Sequence, residues 1–402
     1  MTPWLSIIGL GEDGLAGLTP TARALYDQAE VLIGGKRIFA MLPEDGRERL
    51  SWPSPPSALI EEIAARRGQR VCVLATGDPL HHGIGATLAN RVPIEVMTIV
   101  PAPSAFALAC ARLGWNRAEV ETLSLHGRPL ELLHPAVQPG AKVLLLGNDA
   151  ETPAEVAALL RARGYGPSRM VVLEHMGGAK ERRLDATAAT WQPGGRVADF
   201  NTIAVDCLAG PDAALLPRTP GLPDEAFRHD GQMTKREMRA VTLSALQPVP
   251  GQLLWDLGAG SGSIAIEWMR SHPCCRAIAV ERYAGRIALI AGNAAALGTP
   301  GLEIVEGEAP GALDGLEAPD AAFIGGGLGA DGNFETCWDR LKPGGRLVAN
   351  AVTVEGEQAL ARWRAELGGE LTRIAVSRTG AVGTYTGWRP LMPVTQLRAV
   401  KR

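Results

Sequence analysis

Three alternating glycines give the clearest chemical signal in this sequence. They lie in WDLGAGSGS, directly after an apolar run whose last acid is Asp256. Glycine lets the backbone approach a ligand closely at the carboxyl end of a strand, where α/β sheets bind their ligands. The segment therefore predicts a site for a nucleotide-like ligand. Its contacts would come from Gly258, Ala259, Gly260, Ser261 and Gly262.

The acids that follow indicate which ligand this is. A dinucleotide fingerprint requires glycine at position 263, which is Ser263 here. The next apolar run ends in Glu281, which can accept hydrogen bonds from both ribose hydroxyls and would repel a 2′-phosphate. After a third run, Glu308 and Ala309 are placed to face an adenine ring. The pattern favours S-adenosylmethionine over NAD; the alternative is that Glu281 is only a solvated acid at a strand end.

Short apolar runs alternate with helical patterns around this motif, which is typical of an α/β domain. The final runs, LTRIAVSR and GTYTGWRP, have no helix between them, which predicts a mainly parallel sheet ending in an antiparallel hairpin. The predicted strands are QLLWDLG, RAIAVE, LEIVEG, DAAFIGG and GRLVANAV.

A second α/β pattern precedes the glycine motif by about 250 residues. A proline-rich stretch over 209–232 predicts the boundary, with domains at 1–210 and 227–402 and a linker at 211–226. The first domain contains GLGEDG at 9–14, a literal dinucleotide fingerprint. Because the next strand ends in Gly34 and Gly35 rather than an acid, we reject a dinucleotide site there.

Composition excludes several classes of function. The 402 residues carry a net charge of −3 with 5% aromatic residues, which argues against an RNA methyltransferase. No apolar run has the length of a membrane span and no signal peptide is indicated, so we expect a cytoplasmic protein that binds neither nucleic acid nor membrane. The six cysteines lack metal-ligand spacing, so we expect free thiols and no metal.

The C-terminal half resembles the class I S-adenosylmethionine-dependent methyltransferases. The segment DGQMTKREMRAVTLSAL (230–246) leads into a helix directly before the glycine strand. It resembles the methyltransferases of the cobalamin pathway that act on precorrin-6, as do FIGGGLG (323–329) and LKPGGRLVANAV (341–352). The resemblance implies a Rossmann-like fold and places Thr234 beside the cofactor.

The N-terminal half resembles the class III, or tetrapyrrole, methyltransferases, whose fold has two α/β subdomains. The resemblance rests on VLATGDPLHHGIG (73–85), the turn in VPAPSAFALAC, LLLGND (144–149) and LEHMGGAKERRLD (173–185). It implies a second S-adenosylmethionine site, giving two per chain, while Gly9 and Gly11 would line a substrate trough. The implied cofactor contacts are Gly77, Asp78, Ser104, Ala105 and Leu146.

His81 and His82 depart from the apolar or aromatic residues that related sequences more often carry. Adjacent residues do not share a face of a helix or strand, so a chelating pair is not expected. We expect one ring to be packed and the other solvated. The alternative is that one of them bonds a substrate carboxylate.

Together the two halves resemble a family of bifunctional enzymes of corrin-ring synthesis. The resemblance implies methylation of precorrin-6B at carbon 5 by the first domain. It assigns methylation at carbon 15, with decarboxylation of the ring C acetate, to the second, giving precorrin-8X. Because the methyl sulfonium is already electrophilic, no catalytic nucleophile is expected. The implied substrate contacts in the second domain are Lys235, Arg236, Arg239, Gly326 and Asn350.

Several alternatives stay open at this point. The substrate could be the cobalt-containing precorrin, or only the C-terminal site could be active on another substrate. A non-catalytic regulator that binds the cofactor is also compatible with the sequence. For Lys235, Arg236 and Arg239, the alternative to a carboxylate contact is an ordinary solvated helix face. The resemblance further implies a homo-oligomer, either a dimer or a tetramer.

Overall fold

The computed structural model describes residues 3–192, 195–326, 328 and 332–402. The chain forms two compact units: Met1–Leu130 with Pro139–Ala214, and Glu131–Gln138 with Leu215–Arg402. These bounds differ from the predicted ones, since much of the predicted linker is part of the second unit. Within that unit, the N–H groups of Gly221 and Leu222 donate to the buried carboxylate of Glu267.

The first sheet of the first unit is entirely parallel and has the order β3-β2-β4-β1-β5. Its central strands β1 and β4 are almost fully buried, as expected for a parallel sheet covered on both faces. The strands are β1 (Leu5–Leu10), β2 (Val31–Gly34), β3 (Glu48–Ser51), β4 (Val71–Thr76) and β5 (Met97–Val100). The helices are α1 (Pro20–Gln28), α2 (Lys36–Phe39), α3 (Ser57–Ala65) and α4 (Ile84–Ala89).

The second sheet of this unit is mixed, with the order β6-β7-β10-β8-β9. Helix α5 (Ala105–Leu113) begins after β5 and packs on this sheet through Phe106 and Ala109. The strands are β6 (Val120–Ser124), β7 (Lys142–Leu146), β8 (Arg169–Glu174), β9 (Arg182–Thr187) and β10 (Asn201–Asp206), and α6 is Thr152–Ala162. Two sheets in one unit confirm the predicted pair of α/β subdomains.

The second unit contains a seven-stranded sheet of order β13-β12-β11-β14-β15-β19-β16, with its first five strands parallel. These strands are β11 (Leu253–Leu257), β12 (Arg276–Glu281), β13 (Glu303–Glu306), β14 (Ala321–Ile324) and β15 (Arg346–Ala351). The helices are α7 (Arg236–Leu246), α8 (Ser263–Ser271), α9 (Ala284–Ala296), α10 (Asn333–Arg340) and α11 (Val354–Leu367). The five parallel strands are the ones predicted from the sequence.

The antiparallel end of this sheet is built differently from the prediction. The run LTRIAVSR divides into β16 (Glu370–Ile374) and β17 (Ser377–Val382), which belong to different sheets. β17 pairs with β18 (Tyr385–Pro390) in a separate hairpin, while β16 pairs with β19 (Val394–Val400). The sheet therefore does end in an antiparallel pair, but β19 supplies it. The even mixture of polar and apolar residues in VTQLRAV concealed this strand.

The described part of the chain contains no helix long and apolar enough to cross a lipid bilayer. All six cysteines are free thiols. No group of three or more His, Cys, Asp or Glu side chains within residues 3–192, 195–326, 328 and 332–402 is arranged to hold a metal ion.

Candidate functional sites

A cavity of about 700 Å³ lies in the first unit, between its two sheets. Its wall is formed where β1, β4, β7 and β8 end and where β10 and α5 begin. Strands β1, β4, β7 and β8 point their carboxyl ends at this cavity, which is the position where α/β sheets bind ligands. Its volume suits a small organic ligand or cofactor.

The cavity wall contains most of the residues predicted for the first domain, namely Gly11, Gly77, Asp78, Ser104, Ala105 and Leu146. Gly9 does not line it. A Cβ atom on Gly9 would lie 2.0 Å from the carbonyl oxygen of Gly77 and 2.4 Å from the amide nitrogen of Ala102. Gly9 is therefore required for the close approach of three backbone segments, and its predicted substrate contact is wrong.

The turn after β4 and the start of α5 shape one side of the cavity. Gly77 has a left-handed φ of 63°, and the Asp78 carboxylate accepts a hydrogen bond of 2.9 Å from the Leu80 N–H. Ser104 caps α5, because its Oγ accepts the N–H of Ala107 at 3.2 Å. A capped helix N-terminus at a cavity wall favours a negatively charged ligand group there.

The same wall contains a hydrogen-bonded network that sequence reasoning missed. Glu12 accepts a hydrogen bond from the Arg37 guanidinium and pairs with Nδ1 of His175 at 2.7 Å. Arg37 also donates to Thr76 Oγ1 at 2.7 Å and lies 4.0 Å above the ring of Phe200. These residues come from distant segments. Glu12, Thr76 and His175 lay in recognised motifs, whereas Arg37 and Phe200 did not.

His81 and His82 partly follow the prediction. His81 is partly buried and His82 is exposed, but their rings stack at 5.3 Å and both lie close to Phe106. The two rings lie on the same side of the chain because His82 has a left-handed φ of 59°, which turns its side chain toward that of His81. Burial lowers the pKa of both imidazoles, assisted by the Arg117 guanidinium at His81.

In the second unit, the glycine motif forms the turn between β11 and α8. Gly258, Gly260 and Gly262 have φ values of 64°, 60° and 75°, in the region that favours glycine. The hydroxyl of Ser261 is buried without a hydrogen-bond partner among the described residues. Buried polar groups are normally satisfied, so this oxygen indicates a place where a ligand or water completes the loop.

Glu281 is held against this loop and is not a solvated strand-end acid. Its side chain is buried, and it accepts hydrogen bonds from the backbone N–H groups of Gly260 at 2.9 Å, Arg282 at 3.0 Å and Tyr283 at 3.1 Å. A carboxylate oxygen has two lone pairs, so acceptor capacity remains for a further donor. The predicted loop and the predicted acid are thus adjacent.

Asp256, at the end of β11, is the other acid of this site. It is fully enclosed, and its Oδ2 accepts the N–H of Ala265 at 3.0 Å. The pKa of Asp256 is raised to about 7, mainly by burial; the hydrogen bond from the Ala265 N–H opposes this rise and the nearby Glu281 carboxylate adds to it. The site therefore places two acids close together, one of them readily protonated.

The remaining predicted contacts of this site lie around the same edge of the sheet. Gly326 is exposed and lies beside Gly258, at 3.6 Å from where a Cβ on that residue would be. Glu308 follows β13 and pairs with Arg282 at 2.7 Å, while Ala309 packs on the core under the sheet. Of the motif at 323–329, positions 327 and 329 lie outside the described residues.

The basic segment before α7 divides into exposed and buried cations. Lys235 is partly buried and Arg236 exposed, and neither side chain has a partner among the residues the structure describes. Arg239 is fully buried and pairs with Glu267 at 2.9 Å and Asp224 at 2.8 Å. The predicted substrate contact of Arg239 is therefore wrong, because its guanidinium already holds α7 to the core.

Two further predicted contacts lie on either side of α7. Thr234 accepts a hydrogen bond from Arg239 through its carbonyl oxygen at 2.6 Å, which fixes the backbone beside the helix start. The carbonyl of Gln232 lies 4.0 Å from where a Cβ on Gly260 would be, so this segment passes over the glycine loop. Asn350 bonds Thr242 and Gln396 through its amide, so its role as a substrate contact stays a prediction.

Comparison with known proteins relates both parts of the chain to methyltransferase families. Residues 5–191 match the model of the tetrapyrrole (corrin/porphyrin) methylases, and residues 225–401 match that of the precorrin methyltransferase domain. The chain is 49% identical over 397 residues to a precorrin-6Y C(5,15)-methyltransferase [decarboxylating] from a Sinorhizobium species, covering 98% of this chain and 96% of that protein. The chain belongs to the precorrin-6Y C(5,15)-methyltransferase (decarboxylating) family.

A second family member, from Mycobacterium tuberculosis, is 45% identical over 400 residues, covering 98% of this chain and 99% of that protein. The crystal structure of the C-terminal domain of precorrin-6Y C5,15-methyltransferase from Rhodobacter capsulatus is 44% identical. It covers 46% of this chain and all of that domain, with a TM-score of 0.44. The match to the tetrapyrrole methylases and the identity to the full-length relatives show that this protein is a methyltransferase that uses S-adenosylmethionine.

Proposed function

We propose that each unit binds its own S-adenosylmethionine and that the chain methylates precorrin-6B twice. The first unit would methylate carbon 5, and the second would methylate carbon 15 with loss of carbon dioxide from the ring C acetate, giving precorrin-8X. The activities for which the full-length relatives are named support both reactions. The proposal of two sites depends on the cavity of the first unit, because the glycine loop of the second unit alone would account for only one site.

The residues of the first unit fit the cofactor on three grounds. The cavity has the right size, the turn at Gly77 and Asp78 lies in its wall, and α5 presents a capped N-terminus to it. Anionic groups are stabilised at helix N-termini, so a carboxylate of the ligand is suited to that position. Leu146 adds apolar surface at the end of β7.

The second unit fits the cofactor through its backbone. The three left-handed glycines leave the loop surface open, and Glu281 lies where a ribose hydroxyl can donate to it. The unpartnered Ser261 hydroxyl is the strongest local indication of a ligand. These groups lie on one edge of a single sheet, beside the start of α7.

Methyl transfer from S-adenosylmethionine requires the protein mainly to position the reactants. S-adenosylmethionine supplies an electrophilic methyl group, so the chain must orient a nucleophilic ring carbon and exclude water. Decarboxylation at the ring C acetate can proceed because the conjugated macrocycle accepts the electron pair that is released. The side chains of both sites then act by holding the substrate carboxylates and by moving protons.

Unpaired cations are suited to hold those carboxylates. In the first unit, Arg128 lines the cavity and has no acidic partner among the described residues, in contrast to Arg37, which pairs with Glu12. In the second unit, Lys235 and Arg236 have this property. Arginine recognises carboxylates through paired N–H donors and lysine attracts them as a compact point charge, so we assign substrate binding to these three side chains.

The proposal is tested by calorimetric titration of the full chain with S-adenosylhomocysteine. We expect two sites in the wild type, with Asp78→Ala losing one and Glu281→Ala losing the other. Because Glu281 organises three backbone N–H groups, Glu281→Gln serves as a matched variant that keeps an acceptor oxygen. Thermal unfolding of each variant checks that the unit still folds.

The outcomes separate the alternatives. Two sites that are lost one at a time support a double methyltransferase. A single site that only the Glu281 variants weaken would mean that the first unit does not bind the cofactor, and the claim for carbon 5 would be abandoned. Binding of S-adenosylhomocysteine without any methylated precorrin in a mass spectrum would support a regulator instead.

We also propose a homo-oligomer formed through the β17–β18 hairpin. The hairpin and the following segment expose large apolar side chains, with Tyr385 80% exposed, Trp388 74% exposed and Met392 71% exposed. Clustered apolar surface of this kind is typical of an association site. In sedimentation, the wild type should be a multimer and a Tyr385→Ser/Trp388→Ser variant should be a smaller species. Equal masses would exclude the hairpin as the association surface.

A further inference from the structure

Two histidines in the wall of the first unit's cavity have an unusual backbone conformation. Among the described residues, the non-glycine residues with left-handed φ are His82, His175 and Gln247. Residues other than glycine avoid this region, and those that occupy it cluster at functional sites. His175 has a φ of 46° and follows directly after β8. Its position therefore suggests a role beyond packing.

The contact between His175 and Glu12 determines which ring nitrogen of His175 faces the carboxylate. An ionised carboxylate only accepts hydrogen bonds, so the 2.7 Å contact with Glu12 requires a proton on Nδ1 of His175. In the neutral ring, Nε2 then carries a lone pair, and it makes no hydrogen bond to any residue that the structure describes. The Glu12 side chain is 12% exposed and that of His175 is 22% exposed, so both are shielded from water.

The surroundings hold this pair in place. Arg37 binds the second oxygen of Glu12, and Phe200 lies 5.6 Å from the His175 ring. Gly178 permits the approach, because a Cβ there would lie 2.7 Å from the Cβ of Glu12. Glu174 also interacts electrostatically with His175.

Glu174 directly precedes His175 and pairs with Arg182 at 2.6 Å. Burial opposes the ionisation of Glu174, but hydrogen bonds from Arg182 and from the Ala198 N–H prevail and lower its pKa. Asp199 lies in the cavity wall beside Phe200. If His175 takes up a proton, its positive charge is therefore stabilised directly by the carboxylate of Glu12. Arg37 partly neutralises the negative charge of that carboxylate.

Methylation of a ring carbon that bears hydrogen releases a proton. The ring carbon forms its bond to methyl, the methyl–sulfur bond breaks with its electron pair going to sulfur, and the carbon–hydrogen bond then breaks. Its electron pair returns to the conjugated ring, and the proton needs an acceptor. We propose that Nε2 of His175 accepts this proton in the first unit, with Glu12 as the positioning residue. This inference rests on the proposed methylation at carbon 5.

The test uses His175→Asn in the full-length chain. Asparagine enters the left-handed region more readily than most residues and retains an N–H donor for Glu12, but it has no basic nitrogen. We expect single-turnover methylation at carbon 5 to fall by about 100-fold, the lower range for a general base. Added imidazole should restore part of the rate, and binding of S-adenosylhomocysteine should be unchanged.

A second readout does not depend on methyl transfer. With S-adenosylhomocysteine bound in D₂O, an acid–base group next to carbon 5 should exchange the hydrogen on that carbon, as followed by NMR of the precorrin. The wild type should exchange it, and His175→Asn should not. Glu12→Gln should slow both reactions by about tenfold, within the range for positioning a catalytic base.

Glu62→Gln is the matched control, because Glu62 is also paired with an arginine, Arg66 at 2.6 Å, but lies outside the cavity wall. It should leave both rates unchanged. If the wild type methylates carbon 5 and His175→Asn retains its rate and its exchange, His175 is not the acceptor. If the wild type itself fails to methylate carbon 5, the proposed function of the first unit is the part that fails.

Discussion

The two candidate sites differ in how widely their residues are spread along the sequence. In the second unit, the glycine loop and Glu281 lie within 24 residues, from 258 to 281, on one edge of one sheet. In the first unit, the cavity wall extends from Leu10 to Thr202 and draws on two sheets. The first site therefore depends on how two layers approach each other, while the second depends mainly on a local turn.

This difference also appears in the chemistry of the two walls. The second site presents backbone N–H groups and two neighbouring acids, Asp256 and Glu281. The first presents a charged network of Glu12, Arg37 and His175, together with the unpaired Arg128. A local turn is suited to binding a cofactor, whereas side chains from two layers can also surround a substrate and take up a proton.

The largest expected effect is that of Gly9→Ala on the first site. The new Cβ would meet the Gly77 oxygen at 2.0 Å, and a backbone atom cannot move aside as a flexible side chain can. We expect loss of one S-adenosylhomocysteine site in calorimetry. Gly11→Ala is the control, since its Cβ would meet only the Asp13 carboxylate, at 2.6 Å. Equal binding by both variants would contradict the view that the first site depends on close approach.

The next largest effect should come from Arg239→Met in the second unit. Removing one partner of a buried ion pair typically destabilises by about 3–5 kcal/mol, because the buried Glu267 carboxylate loses its cation. Hydrogen exchange of second-unit peptides in urea measures this loss. Arg236→Met, on the exposed side of the same helix, should leave stability unchanged and weaken precorrin binding. A loss of substrate affinity alone in Arg239→Met would restore its predicted role as a substrate contact.

The second site should also make stability depend on pH. The pKa of Asp256 rises from 3.8 to about 7 on folding, so between these values the folded state binds a proton that the unfolded state releases. Stability is therefore highest below pH 4 for this group and falls as pH rises through 7, by at most about 4 kcal/mol. Asp256→Asn should flatten this part of the profile of unfolding free energy against pH, as measured by urea unfolding. An unaltered slope would mean that another group causes the pH dependence.

The smallest expected effect concerns substrate binding in the first unit. Arg128→Gln should raise the KM for carbon 5 methylation about tenfold, or about 1.4 kcal/mol, with kcat little changed, because a carboxylate contact is equal in ground and transition states. Arg66→Gln removes a cation that is paired with Glu48 and Glu62 away from the cavity, and it should change neither constant. A fall in kcat alone would place Arg128 in the chemistry rather than in binding.

Particular residues show how much of the structure could be predicted from the sequence. The glycines at 258, 260 and 262 were predicted with their acid, since a short loop and the next strand end are separated by a fixed spacing in an α/β unit. The turn at Gly77 and Asp78 and the cap at Ser104 were found by resemblance and lie in the cavity wall. Strand β19 was missed because its apolar residues do not alternate regularly, although it is largely buried.

Errors arose where a residue's role depends on its neighbours in space. Arg236 and Arg239 are three positions apart on one helix, yet one is exposed and the other is enclosed by Glu267 and Asp224. Gly9 was expected to face substrate, but the backbone of Gly77 occupies that space. Sequence spacing places residues on a helix or at a strand end, and it does not specify what packs against them.

The sequence by itself determined the α/β class, the two-domain order, the glycine loop with its acid and the family of methyltransferases, because these depend on local spacing. Only the tertiary structure decided that Glu12, Arg37 and His175 form one network, and that Arg239 is a buried structural cation. The physical reason is that hydrogen bonding and desolvation depend on distances in space. Segments separated by more than 160 residues, such as those of Glu12 and His175, come within 2.7 Å only in the folded chain.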